Sequence, residues 1–250
     1  SRRLTAVQIF QAAVENARDE LRRSNQKLAF SGIAGGLTMG LTGLAVAAMR
    51  SLTGPGESAL IPYLLYPIGF VGVIIGRAQL FTENTLYPVV LVLDERRHVK
   101  TTLRLWGVVF ASNIFGALMF ALLAVKSSAL RSDVLTQLIH LGEGSASGSA
   151  GYFFWSGIIG GWLIALVAWT VTASHWTIGQ IAMVYMLTFV VGVGRFVHCI
   201  AGSGEILAAV MGGTVSIAEY LRWLMPATLG NIFGGILMVS LLNYGQVKNL

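Results

Sequence analysis

Val73-Ile74-Ile75-Gly76-Arg77 and Gly192-Val193-Gly194-Arg195 put a Gly-Arg pair inside apolar sequence twice, 118 positions apart. The same offset carries Leu103-Arg104 onto Leu221-Arg222 and Asn113-Ile114-Phe115-Gly116 onto Asn231-Ile232-Phe233-Gly234. An earlier match, Ser31-Gly32-Ile33-x-Gly35-Gly36 on Ser156-Gly157-Ile158-x-Gly160-Gly161, has an offset of 125. Repetition at a fixed period marks a duplicated structural unit. Arginine is costly in lipid, so a membrane chain that keeps one at the same point of both halves is using it.

The surroundings are those of a membrane protein. Of 250 residues, 55% are hydrophobic and 11% charged, against roughly 25% charged in average soluble domains. Mean hydropathy is +0.71. Six apolar stretches fall at roughly 28–49, 60–94, 103–126, 152–173, 178–212 and 218–244, each long enough for the ~20 residues that span a bilayer. Many of the thirty glycines sit inside these runs, where small residues let helices approach closely.

Two stretches are unusual. The 60–94 run is too long for one ordinary span and its middle, Arg77-Ala78-Gln79-Leu80-Phe81-Thr82-Glu83-Asn84, is polar. The 178–212 run is interrupted by Arg195, His198 and Ala201-Gly202-Ser203-Gly204-Glu205. Both read as broken helices, which survive at membrane depth only where the backbone is buried in protein or lines a cavity. Three spans per half, the middle one broken, force the second copy into the membrane in the opposite sense. The expected fold is all-α: six transmembrane helices in a 3+3 inverted repeat, repeat one about 28–126 and repeat two about 152–244. Such repeats place a site at the midplane between the broken helices.

Residues 1–27 read as an amphipathic helix, with Leu4, Val7, Phe10, Val14, Ala17 and Leu21 on one face. It is expected to form an N-terminal cytoplasmic segment ahead of a 28–250 transmembrane domain. With the N-terminus inside, Arg2, Arg3, Arg18, Arg22, Arg23, Lys27, Arg96, Arg97, Lys100, Arg104 and Lys248 are cytoplasmic. Only Arg50, Lys126, Arg131 and Arg222 are then outside, so both termini are expected in the cytoplasm. The net charge of +6 is thus a topology signal and not a nucleic-acid surface. No cleavable signal peptide is expected, because the first apolar run is too far in and too long. The chain opens on Ser1 rather than methionine, and an upstream segment is expected. The single cysteine, Cys199, excludes an internal disulfide and a thiolate metal cluster. No metal or cofactor is expected. No HExxH, GxSxG, phosphate loop or paired catalytic carboxylate occurs, so the chain does not read as an enzyme.

The candidate site residues each carry two readings. His198 is a proton donor at the midplane, or a histidine satisfied by a backbone carbonyl. Arg77 and Arg195 supply positive potential for an anion. Alternatively they clamp the broken backbone by donating to orphan carbonyls or pairing with Glu83 and Glu205. Thr82 bonds a substrate oxygen or caps a half-helix. Leu80 and Phe81 form an apolar constriction or ordinary packing. Asn113 and Asn231 brace the breaks, a reading preferred over direct contact with a substrate.

Leu80-Phe81-Thr82 in a broken second span, His198-Cys199-Ile200-Ala201 in a broken fifth, and Asn231-Ile232-Phe233-Gly234-Gly235 together resemble the formate/nitrite transporter family, from about residue 10 to 245. The resemblance implies an aquaporin-like protomer, a homopentamer in a bacterial inner membrane, and one pore per protomer. The cargo it implies is small monovalent anions such as formate, nitrite, hydrosulfide or acetate; with His198 read as a proton donor, the chain is expected to be an anion channel or a proton-linked transporter, with protons as partners. It places His198 between two constrictions, Leu80 and Phe81 on one side, Phe70 and Val191 on the other, with Thr82 facing the histidine. The sequence departs from the family pattern in three places. Gln180 stands where well-known members have a lysine, Arg195-Phe196-Val197 where they have Gly-Phe-Glu, and Arg77 where many have a small residue. This marks a divergent branch. Two other classes remain: a neutral-solute channel of aquaporin type, though the Asn-Pro-Ala signature is absent, and a non-transporting membrane subunit.

Overall fold

The computed structural model describes residues 3–53 and 59–248; Arg2 of the basic N-terminus lies outside them. Among the described residues the secondary structure is helical throughout. Helix α1 (Ala6–Arg22) opens on a capping box, Thr5 and Gln8 each bonding the other's backbone N–H. Its buried face is Ile9, Phe10, Ala13, Val14, Ala17 and Leu21, while Val7, expected on that face, is 47% exposed. The helix ends at Arg22 and Ser24 caps a new one, α2 (Asn25–Leu52), so the first apolar helix starts earlier than the sequence suggests.

The second stretch is broken as expected. A 3-10 turn (Ile61–Leu65) leads into α3 (Ile68–Ile75). The chain then runs without helix to a second 3-10 turn (Phe81–Thr85), and α4 (Tyr87–Glu95) follows. Pro67 before α3 and Pro88 at the start of α4 suit these first turns, where a missing N–H costs nothing. Helix α5 spans Val99–Lys126.

Residues 127–151, expected as a loop, instead contain α6 (Ser132–Ala146). Shifting α1 by the 125-residue offset lands on 131–147, so the repeat itself forecasts this helix. The packing agrees: α6 lies on α2 and α9, as α1 lies on α7 and α4. After α7 (Ala150–Thr172), the fifth stretch splits into α8 (Thr177–Gly194) and α9 (Cys199–Met211). At 18 residues, α8 is much more than half a span. Helix α10 (Ile217–Gly235) contains Pro226 and passes through a π-helical stretch, Ile236–Leu241, into α11 (Leu242–Val247).

Among the described residues, five helices are long and apolar enough to cross a membrane: Asn25–Leu52, Val99–Lys126, Ala150–Thr172, Thr177–Gly194 and Ile217–Val247. The two most intimate pairs, α2 with α5 and α7 with α10, run parallel and meet through glycine. A Cβ on Gly36 would lie 1.9 Å from the Asn113 carbonyl oxygen, and one on Gly161 2.1 Å from that of Asn231. Only glycine permits this approach, and it brings each asparagine up to a break.

Candidate functional site

Both breaks are held by the same set of bonds. The Asn113 amide donates to the carbonyls of Gly32 (2.7 Å) and Gln79 (2.9 Å), and its Oδ1 accepts from the Phe81 N–H (2.9 Å). Asn231 donates to the carbonyls of Gly157 and Val197 (both 2.8 Å) and accepts from the Cys199 N–H (2.8 Å). Ser31 accepts from the Gln79 N–H (3.0 Å) and Ser156 from the Val197 N–H (3.1 Å). Every pair obeys the offset of 118 or 125. Each asparagine therefore satisfies two backbone groups of the break that irregular chain would leave orphaned, at a cost of about 1–3 kcal/mol each if buried unpaired, and ties them to a glycine carbonyl of the neighbouring helix. The two serines repeat visibly at offset 125, yet their capping of the breaks was not foreseen from it.

The arginines do not clamp. Neither guanidinium makes a hydrogen bond or ion pair with a described residue, and both residues are exposed. Glu83 and Glu205 face them without contact. Instead, each arginine backbone turns the chain out of its helix. Arg77 (φ 60°) and Arg195 (φ 52°) are left-handed, with Ala78 and Phe196 N–H groups reaching back to the carbonyls of Val73 and Val191, both at 3.0 Å. This is the helix closure that glycine usually makes. The adjacent Gly76 stays right-handed.

The second break delivers His198. It caps α9 with its side chain, Nδ1 accepting the Ala201 N–H at 3.0 Å. With Nδ1 an acceptor, the hydrogen of a neutral ring sits on Nε2, and Nε2 lies 2.7 Å from Thr82 Oγ1 in the first break. Both side chains are buried, His198 2% exposed and Thr82 0%. Thr82 is held by its own 3-10 turn, whose Thr85 hydroxyl bonds the Thr82 carbonyl (2.9 Å), while Ser240 of the π stretch bonds the Thr85 carbonyl (2.6 Å). Phe70 sets its ring edge-on to His198, centroids 5.1 Å apart. Val191 is fully buried beside it and lines the adjoining cavity. Leu80 is buried, and the Phe81 ring packs edge-on against Trp106 and Phe110 of α5.

Two cavities flank the Thr82–His198 contact. The larger, about 430 Å³, runs from Ser147 and Tyr152 at the α6 end to His198, past Arg195, Glu205, Gly202 and Trp223. The smaller, about 80 Å³, lies at the α1 end between Arg77, Gln79 and Glu83, with Asn16 and Glu20 of α1 as its roof. There Gln79 donates to Glu20 (2.5 Å) and accepts from Asn84 (2.8 Å), tying α1 to the break. Gln180 donates to the Val171 and Ser174 carbonyls, closing the α7–α8 corner, and lines a neighbouring cavity of about 320 Å³ with Arg77 and Asn16.

At the α1 end, Glu95 gathers Arg18 (2.6 Å), Arg97 (2.6 Å) and His98 (2.7 Å). Those bonds, the one from Arg18 foremost, hold its carboxyl down at about 2.

Residues 7–245 match the sequence model described as formate/nitrite transporter. The inner membrane protein YfdC of Escherichia coli (strain K12) is 32% identical over 248 residues, covering 98% of this chain and 79% of that protein. A probable formate transporter of Methanothermobacter thermautotrophicus is 28% identical over 232 residues, covering 86% and 82%. Among solved structures, an FNT family ion channel superposes with a TM-score of 0.86 at 19% identity, over 95% of this chain and 98% of the other. A pentameric formate channel with formate bound gives 0.72 at 18%, over 84% and 92%. The helical architecture is that of these channels, and the match over nearly all its length makes this chain a member of the formate/nitrite transporter family.

Proposed function

We propose that each protomer passes small monovalent anions of weak acids, such as formate, nitrite or acetate, through the passage between the two breaks. The observation that carries this is the Thr82–His198 contact. A hydroxyl and an imidazole N–H meet among apolar side chains, with a cavity and an unpaired arginine on each side. An ion would lose its hydration at such a point, a cost of many kcal/mol. The conjugate acid would not, and it finds hydrogen-bond partners in His198 Nε2–H and Thr82. The arginines draw anions into both vestibules, and the species crossing between them carries a proton.

The finer architecture belongs to the same proposal. Two three-span halves, oppositely inserted, account for the matching bonds at offsets 118 and 125. The α1 segment then lies in the cytoplasm ahead of a channel domain from about residue 28. Leu80 and Phe70 are the apolar neighbours of the crossing point, with Phe81 and Val191 behind them. Assembly as a pentamer in a bacterial inner membrane is supported by the pentameric formate channel and the inner membrane relative described above. It gives the exposed Phe30, Phe115, Trp155 and Trp162 either lipid or a neighbouring copy to bury against.

The test is a panel of anions and neutral solutes in liposomes. The protein is expected to pass formate, acetate or nitrite faster at acidic pH and to leave water and glycerol swelling unchanged. Swelling without anion flux would make it a neutral-solute channel. Failure of every solute at every pH would leave a non-transporting subunit.

A further inference from the structure

We propose that the larger vestibule contains a loading site for carboxylate-type weak acids, where Arg195 and the Trp223 indole N–H bind the anion and Glu205 gives it a proton. This rests on the weak-acid reading above and locates the protonation ahead of the crossing point.

Glu205 stands two turns beyond His198 on α9, with Gly202 between them, so one face of the helix lines the cavity for about 10 Å. Its side chain is 9% exposed residue-wide and accepts one hydrogen bond, from Ser145 Oγ to Oε2 at 2.7 Å. The adjacent residue of α6, Gly144, makes room for Arg195, whose Nη2 would lie 2.9 Å from a Cβ there. Helix α6 thus brings the two charges to neighbouring residues without pairing them. Trp223 is 1% exposed, and its indole N–H has no partner. Its ring edge lies over Gly202, where a Cβ would meet Cζ2 at 2.4 Å. A buried donor without a partner is unfavourable, and a bound anion relieves it.

The other groups facing Glu205 do not replace Arg195 as its partner. Arg50 of α2 acts on it through space but is engaged with Tyr63, bonding its hydroxyl at 3.1 Å and lying over its ring. Tyr66 lines the same cavity, α5 presents Phe120, and α10 presents Tyr220, which is bonded to Ser203. His198 closes the inner end.

An ionised carboxylate here would repel the anion that Arg195 attracts. A protonated one is a donor. When the anion settles on Arg195, the O–H bond of Glu205, on the oxygen that Ser145 leaves free, breaks and an O–H bond forms on the anion. The neutral acid moves along α9 to His198, and Glu205 recovers a proton from hydronium in the vestibule. Anions of strong acids bind Arg195 but cannot keep the proton, so they compete without crossing.

The test uses the full chain in liposomes, with formate as probe and chloride as competitor. Glu205→Gln keeps an acceptor for Ser145 but loses the proton. It is expected to lower formate flux at neutral pH about a hundredfold, the low end of what a positioned acid contributes, to flatten its pH profile, and to leave chloride competition intact. Arg195→Gln is expected to remove that competition. Independently of flux, infrared difference spectra on adding formate are expected to show loss of a protonated-carboxyl band in wild type and none in Glu205→Gln. Wild-type flux with an unchanged pH profile in Glu205→Gln, and no such band in wild type, overturns the loading site. Absence of any wild-type flux overturns the transport reading instead, and the infrared band still decides the site.

Discussion

Asn113 and Asn231 carry the two irregular segments, and each does so with both ends of its amide. An aspartate is the same size but cannot donate, so Asn113→Asp or Asn231→Asp orphans the buried Gln79 or Val197 carbonyl, loses the bond to the helical Gly32 or Gly157 carbonyl and adds a charge. Each is expected to cost about 1–3 kcal/mol per orphaned group, read as a lower unfolding temperature in detergent, and the two variants should behave alike. The arginines are expected to behave differently. A left-handed L-residue costs about 1–2 kcal/mol, so Arg77→Gly or Arg195→Gly should stay within about 1 kcal/mol of wild type while losing preference for anions. If either glycine variant fails to fold, the guanidinium has a structural role that the geometry does not show. The duplicated Gly-Arg was legible in the sequence as a charge kept at each break, but its backbone role was not. The eye goes to the glycine, and it is the arginine that takes the left-handed turn.

At the scale of elements, the parallel pairs α2–α5 and α7–α10 depend on backbone contact. Gly36→Ala or Gly161→Ala pushes a methyl into a carbonyl oxygen. Overpacking costs about 1–3 kcal/mol even where side chains can adjust, so little folded protein is expected in size-exclusion chromatography. Helix α1 is held by its buried face, by the Gln79–Glu20 bond and, at the surface, by the Arg18–Glu95 pair. The Glu95 carboxyl sits at about 2 against an ordinary 4.5, so its contribution is complete above 4.5 and fades as the pH falls towards 2. Hydrogen exchange in α1 is expected to stay slow from neutral pH down to about 5, and to be faster at neutral pH in Glu95→Gln. Loss of protection in wild type already at mildly acidic pH would mean that another group holds the helix. The apolar helices and their breaks were readable because lipid demands long hydrophobic runs and breaks leave polar residues within them. Helix α6 was overlooked because a short amphipathic helix on the membrane face has no such signal. Its only sign was the offset that maps α1 onto it.

For the whole molecule, the repeat gives more than a count of spans. It yields two vestibules, each roofed by one amphipathic helix, and the two differ in ways the repeat does not predict. The α1 side is crossed by the Glu20–Gln79–Asn84 bonds, whereas the α6 side is open as far as His198. The centre also departs from symmetry: by the 118 offset, His198 corresponds to Leu80 and Thr82 to Ile200. One half contributes the imidazole and the other the hydroxyl, so the contact exists only in the folded pair, which no reading of either half alone could supply. The opposite insertion of the halves predicts that cysteines placed at Ser147 and Lys248 are labelled from opposite faces of the membrane; labelling of both from one face would contradict it. The central claim is that a weak acid crosses at His198 and Thr82 in its neutral form. It is tested most directly by formate flux into liposomes over a range of pH, for wild type and His198→Ala. The account predicts wild-type flux that rises on acidification and is lost in the variant. Undiminished flux with the same pH dependence in His198→Ala would contradict it.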